Sequence, residues 1–363
     1  MAIRVLHVIA GMGSGGAESM VMNWYRNINR DAVQFDFLLR STENIYAEEI
    51  ERLGGRVYYT AEYPRHYLKN KKDTISFFKE HASEYEAIHV HCNALLYVNI
   101  FEIAKKYGIK IRIIHSHSTK TKNKLFELLH KWNKRKIHKK ATHFLACSKE
   151  AGKWAFNKRI NCKIIANGID AERFQYNSEA RERTRKELNV EDKFVIGHVG
   201  RFLDVKNHAF LLDVFERVSK KHEDAVLMLV GTGPLESEIK ETVARRGLSE
   251  KVRFLGVRKD VENMYSAMDI FAFPSKYEGL GVVLIEAQTN GLYCIASETI
   301  PKESAITKHV KFLPITNAAV WEEEILNGKE RQEEAWKNTV EVGFDIKSSV
   351  KTLQRCYLGE END

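Results

Sequence analysis

Short apolar runs recur along this chain, and each gives way to a stretch whose apolar positions fall three and four residues apart. Runs near 3–10, 35–40, 87–91, 111–115 and 143–147 read as buried strands in the first half. Those near 194–199, 226–230, 252–255, 269–273 and 293–296 do so in the second. The segments between them read as amphipathic helices. Phe210, Leu211, Val214, Phe215 and Val218 share a face of 205–221, and Met20, Val21, Trp24 and Tyr25 share a face of the helix opening at Ala17. Strand–helix alternation over 363 residues predicts two doubly wound α/β units, with a boundary near 167–190. A last helix, about 335–358, fits against either unit. Ligands of such sheets sit beyond the carboxyl ends of the strands, so two units predict a site in the cleft between them.

The most informative stretch is 274–291. Ile270-Phe271-Ala272-Phe273 ends at Pro274, and Glu278-Gly279-Leu280-Gly281 forms a glycine loop. Val282, Val283, Ile285 and Glu286 then take up a helical spacing that closes near Gly291. Glu278 falls in the loop and Glu286 roughly two turns into the helix. Bare amides at a helix start favour an anion, and glycines let backbone approach it. One acid above and one below suit a phosphorylated polyol such as a nucleotide sugar. A solvated loop Glu and a Glu favoured by the helix dipole are the plain alternative.

Arg201 and Lys206 flank the turn after the 194–199 strand, a bidentate cation and a point charge placed for a diphosphate. Gly231-Thr232-Gly233-Pro234 and Gly256-Val257 end two further strands, leaving room for a nucleoside. In the first half, Gly11, Gly13 and Gly16 match the dinucleotide fingerprint after a strand. The next strand lacks a terminal acid for a ribose diol and ends in Arg40, which suits a 2′-phosphate. An NADP oxidoreductase is therefore the competing reading. His89 and His91, and His115 and His117, alternate on strands and share a face, but no third and fourth ligand is spaced for zinc. No Asp-x-Asp pair offers a metal–diphosphate clamp.

The net charge of +8 is uneven: residues 1–172 hold 29 Lys+Arg against 17 Asp+Glu, and residues 173–363 hold 28 against 32. The first half should meet an anionic partner. Residues 120–140 carry nine cations (Lys120, Lys122, Lys124, Lys131, Lys134, Arg135, Lys136, Lys139 and Lys140), with Leu125, Phe126, Leu128, Leu129 and Trp132 interleaved. That fits an anionic bilayer, or a core-packed helix with a solvated basic face. A nucleic-acid module finds no helix-turn-helix or aromatic basic sheet to support it. Five cysteines without a C-x-x-C pair argue for a reducing compartment, and no apolar run reaches membrane-span length.

Several of these motifs occur together in one family. Gly-Gly-Ala-Glu-Ser after the first strand, Ile-Ile-His-Ser-His-Ser-Thr at 113–119, Asn-Gly-Ile-Asp at 167–170 and Gly-Arg-x4-Lys-Asn-His at 200–208 are four of them. Gly-x-Gly-Pro at 231–234 and Tyr-Glu-Gly-Leu-x4-Ile-Glu-Ala at 277–287 complete the set. The chain resembles family-4 retaining glycosyltransferases, most of all the bacterial ones that build capsule and exopolysaccharide. The resemblance implies the GT-B fold: two Rossmann-like domains facing across a cleft, with a C-terminal helix crossing back. Residues 1–172 would bind acceptor, 173–340 would bind the nucleotide sugar, and 341–363 would return to the first domain.

It also implies roles. Arg201 and Lys206 would hold the diphosphate, with Gly15 and Gly16 approaching from the N-terminal side. Glu278 would contact the transferred sugar near the amides of Gly279, Leu280, Gly281 and Val282. Glu286 would hold the ribose, with Gly231, Gly256 and Val257 around the nucleoside. His117, or alternatively His115, would be the active-site histidine beside Glu278. Gly281 stands where relatives often carry proline. No metal or other cofactor is implied, UDP is the expected donor carrier, and a polyprenyl-diphosphate-linked or saccharide acceptor is the expected partner. The enzyme would sit in the cytoplasm, peripheral on the inner membrane face through 120–140.

Overall fold

The computed structural model describes residues 2–13, 15–119, 121, 123–166 and 168–360. The chain divides into two compact units, Met1–Gly168 with Ile346–Asp363, and Ile169–Asp345. The first unit holds β1 (Ile3–Ile9), β2 (Val33–Leu39), β3 (Val57–Tyr59), β4 (Ala87–Cys92), β5 (Ile111–Ser116), β6 (His143–Ala146) and β7 (Lys163–Ile164). Its parallel sheet runs β3-β2-β1-β4-β5-β6-β7. The second unit holds β8 (Phe194–Val199), β9 (Ala225–Val230), β10 (Val252–Phe254), β11 (Ile270–Phe273), β12 (Tyr293–Ser297) and β13 (Val310–Leu313), in the order β10-β9-β8-β11-β12-β13.

The apolar runs form strands because both faces of each sheet are covered. β2 and β9 are buried along their whole length, as parallel strands between helix layers must be. Alternate residues feed opposite cores: Leu6, Val8, Ile88 and Val90 join one cluster, and Val5, Ile9, Ala87 and Ile113 the other. In both sheets the strand order reverses beside the first strand, between β1 and β4 and between β8 and β11. A crevice at the carboxyl ends forms at such a reversal.

β3, β7 and β13, which the apolar pattern does not predict, are short and at most half-buried, so their sequences carry little signal. The final helix is two helices. Trp336–Glu341 ends at a turn with Gly343 at φ +80, and Ile346–Leu358 begins beyond it. Ile346–Leu358 packs beside helix Gly16–Asn27 in the first unit. The break falls where Ile169 N–H bonds the Phe344 carbonyl at 2.8 Å, closing the second unit between those two residues.

Candidate active site

In the second unit, the loops after β8 and β11 meet at the strand-order reversal. Lys276 N–H bonds the Val205 carbonyl at 2.8 Å, and Asn207 Nδ2 donates to the Pro274 carbonyl at 3.2 Å. Lys276 Nζ pairs with Asp204 at 2.6 Å. Asn207 sits at φ 58 and separates a 3-10 turn, Asp204–Lys206, from helix His208–Lys221, so the helix expected over 205–221 opens late. This stapling brings Lys206 Nζ to 2.6 Å from Glu278 Oε1, both largely shielded from solvent. Arg201 is exposed on the same loop and has no acidic partner among the described residues. The cluster thus pairs one cation with one acid and leaves a guanidinium unneutralised.

Helix Val282–Thr289 starts from Gly281, whose φ of +78 proline, held near −65°, cannot adopt. The proline that the resemblance would place here is therefore incompatible with this backbone. Glu286 lies just over one turn into this helix, not two, since it stands only four residues beyond Val282, where the helix begins as expected. Its Oε2 accepts from Tyr265 Oη at 2.8 Å. Burial pushes the Glu286 carboxyl up to about 7, against the opposing effects of the Tyr265 bond and the Arg173 charge. Arg173 itself is tied to Glu262 at 2.7 Å.

The loops after β9 and β10 are joined by a 2.8 Å bond from Gly231 N–H to the Gly256 carbonyl. A Cβ on Gly231 would collide with the Gly200 carbonyl oxygen, so the loops after β8 and β9 touch there. Val257 is 77% exposed beside them, an apolar face with no cover. All the second-unit residues expected at the donor site thus share the carboxyl edge of one sheet.

In the first unit the strand histidines form a stack, with His7 of β1 joining them. His7 Nδ1 and His91 Nε2 are 3.0 Å apart, His91 Nδ1 and His117 Nε2 2.9 Å, and His89 Nε2 and His115 Nδ1 3.2 Å. Tyr357 Oη, from the terminal helix, is 2.7 Å from His89 Nδ1. Ring nitrogens of His7, His89 and His91, and of His91, His115 and His117, lie within 4.8 Å of one another, a grouping the spacing argument against a metal did not foresee. Here these nitrogens mostly bond each other. Burial drives His7 and His117 down to about 3, and the remaining three well below their usual value, so the stack is neutral.

His115 is fully buried, whereas half-buried His117 lines a cavity of about 260 Å³. The glycine loop is less open to an anion than its sequence implies. A Cβ on Gly15 would collide with the Glu18 carboxylate and one on Gly13 with that of Glu43, while Gly16 faces open space. Ser14 and Asn167 fall outside the described residues.

Sequence reading missed Tyr265, Arg173 and Asn207. Tyr265 sits at a buried position of helix Val261–Ala267, where its spacing signals only core. The sequence left the basic segment between two readings. Helix Lys124–Lys134 turns His130 and Asn133 inward, both bonding the backbone of Leu95. Leu125, Leu128 and Trp132 are more than half exposed. The helix therefore meets the core through His130 and Asn133, and Leu125, Leu128 and Trp132 face out because these polar residues make the interior contacts. Lys120 and Lys122 lie outside the described residues.

Two parallel-sheet Rossmann-like units carrying these loops define a GT-B glycosyltransferase. Residues 14–173 match the family described as Glycosyltransferase Family 4, and residues 180–336 that described as Glycosyl transferases group 1. Putative glycosyltransferase EpsF of Bacillus subtilis is 35% identical over 387 residues, spanning 99% of this chain and 98% of its own. Capsular polysaccharide biosynthesis glycosyltransferase CapH of Staphylococcus aureus is 26% identical over 381 residues, 99% of each. Among solved structures, Anabaena HepE in complex with UDP superposes with a TM-score of 0.72 at 18% identity, covering 98% of this chain and 95% of that one. The chain belongs to the glycosyltransferases with a family-4 first domain and a group-1 second domain.

Proposed function

We propose that this glycosyltransferase moves a hexosyl group from a UDP-linked donor to a lipid-diphosphate-linked saccharide, with retention of configuration, in exopolysaccharide or capsule assembly. The observation that carries the donor reading is the stapled pair of loops at the second sheet's reversal point, where Arg201, without an acidic partner among the described residues, shares its loop with Lys206 of the Lys206–Glu278 pair. A diphosphate entering there draws Lys206 from Glu278. The freed carboxylate then accepts from sugar hydroxyls, while Arg201, Lys206 and the amides at Gly281 and Val282 meet the charge that grows as the glycosidic bond stretches. Charge neutralisation by these groups gives a metal-independent reaction. Glu286 takes the ribose hydroxyls, and Val257 lies against the base.

The acceptor class is supported by relatives of that chemistry. One, 27% identical over 242 residues, is an Escherichia coli UDP-Gal:alpha-D-GlcNAc-diphosphoundecaprenol alpha-1,3-galactosyltransferase. The test is a thermal-shift and hydrolysis screen over nucleotide sugars. A UDP-sugar is expected to raise Tm and to be slowly hydrolysed, and no response to any UDP- or GDP-linked sugar would remove the donor site.

Among the described residues no helix is long and apolar enough to cross a membrane. We propose attachment to an anionic leaflet through helix Lys124–Lys134. Its outward stripe of Leu125, Leu128 and Trp132 is flanked by Lys131, Lys136 and Lys139, and Lys136 Nζ lies 3.8 Å from the Trp132 ring centre. Sinking such side chains into a bilayer is worth about 1.5–3 kcal/mol each at full burial. Leu128→Glu/Trp132→Glu should weaken co-sedimentation with phosphatidylglycerol vesicles at least about tenfold at low salt. Equal binding by the double variant, or none by the wild type, would end this reading.

A further inference from the structure

We infer that the cavity at the reversal point of the first sheet is a subsite for a negatively charged group on the acceptor, read by Arg40. This rests on the reading that the first unit takes the acceptor, and it adds a charge requirement. Arg40 follows β2 and projects into the cavity of about 260 Å³ that opens at the carboxyl ends of β1 and β4. Its guanidinium carbon lies 4.5 Å from the centre of the Tyr97 ring and 6.0 Å from that of Tyr63. Nε is buried without a hydrogen-bond partner, and no carboxylate pairs with Arg40 among the described residues.

Arg40 is half-buried with its Nε shut off from solvent. Holding a cation there with no counter-charge among the described residues is costly, and stacking on tyrosine recovers only part of that cost. The ionic gap is filled when a ligand brings the anion, and a guanidinium fork fits two oxygens of a phosphate or carboxylate. The rest of the lining fixes the size and kind of the ligand. His117 is neutral, Asn93 offers an amide, and Glu18 presents a carboxyl that burial raises above its usual value. These groups bond hydroxyls, and half-buried Tyr63 supplies ring surface for a sugar. The cavity therefore fits one monosaccharide unit bearing a phosphate ester or a carboxylate, and the chemistry at Arg40 is shared by both.

The experiment uses the full chain loaded with saturating UDP, so that the donor loops are occupied. Glucose 1-phosphate, glucuronate and glucose are titrated by calorimetry into wild type, Arg40→Met and Arg40→Lys. At least one anionic sugar should bind the wild type tenfold or more tightly than glucose, and the tighter of the two identifies the charged group. Arg40→Met should lose that preference while UDP affinity stays within about twofold, and Arg40→Lys should retain part of it. Arg40→Met should also keep or raise Tm, because it removes a half-buried charge with no acid paired to it among the described residues; a guanidinium held only to brace the tyrosines would lower Tm on removal. Equal binding of all three sugars by the wild type, or an unchanged preference in Arg40→Met, overturns the inference. Failure of UDP itself to bind faults the donor site alone, and the titrations are then run without nucleotide.

Discussion

Glu286→Ala should raise the donor KM by about tenfold to a hundredfold and leave the fold intact. Hydrogen bonds to a charged acceptor are worth roughly 1.5–3 kcal/mol, and each 1.4 kcal/mol is tenfold in affinity. Tyr265 does not lose its last partner, because its hydroxyl also donates to the Val283 carbonyl at 3.2 Å. The carboxyl, pushed to about 7, makes the effect pH-dependent. Ribose hydroxyls donate to the ionised form, so ligand binding favours proton loss and strengthens as pH rises through 7. Uridine, which carries no phosphate to confuse the titration, should bind about tenfold more tightly at pH 8 than at pH 6. Glu286→Ala should flatten that profile. A steep profile that survives the substitution, or an unchanged KM, places the ribose elsewhere.

Arg201→Ala should act on kcat. The side chain is exposed, so its loss should cost little stability, and it has no acid to leave stranded. Removing one group that stabilises transition-state charge costs about a hundredfold to a thousandfold in rate. Lys206→Ala should differ in kind, because it also frees Glu278 in the empty enzyme. The double variant Lys206→Ala/Glu278→Ala should therefore lose less than the sum of the single losses, since the two side chains are in contact. Single-turnover rates measure both. An Arg201→Ala enzyme with unchanged kcat and raised KM would show that the arginine holds ground-state donor and not the leaving group.

The central strands were legible in advance because parallel strands covered on both faces must be almost wholly apolar, as β9 and β11 are. The glycine loop and the two glutamates were legible because their spacing straddles a strand-to-helix turn. Edge strands β3, β7 and β13 were not, since a half-exposed edge tolerates almost any residue. Glu286 was placed a turn too deep although the helix starts at Val282 as expected, because four residues make just over one turn at about 3.6 residues per turn.

The sequence by itself determined the class of fold, the family and the carboxyl-edge position of the loops proposed to hold the donor, because all three rest on local periodicity and on motifs contiguous in the chain. Only the tertiary structure decided what each charge faces. Lys206 meets Glu278 across 72 residues, Tyr265 reaches Glu286, His7 joins histidines from two other strands, and Arg40 is left among tyrosines without an acid. It also turned the leucines of helix Lys124–Lys134 outward. Such pairings depend on which strands lie side by side and on which face a helix turns inward, and a linear pattern holds neither.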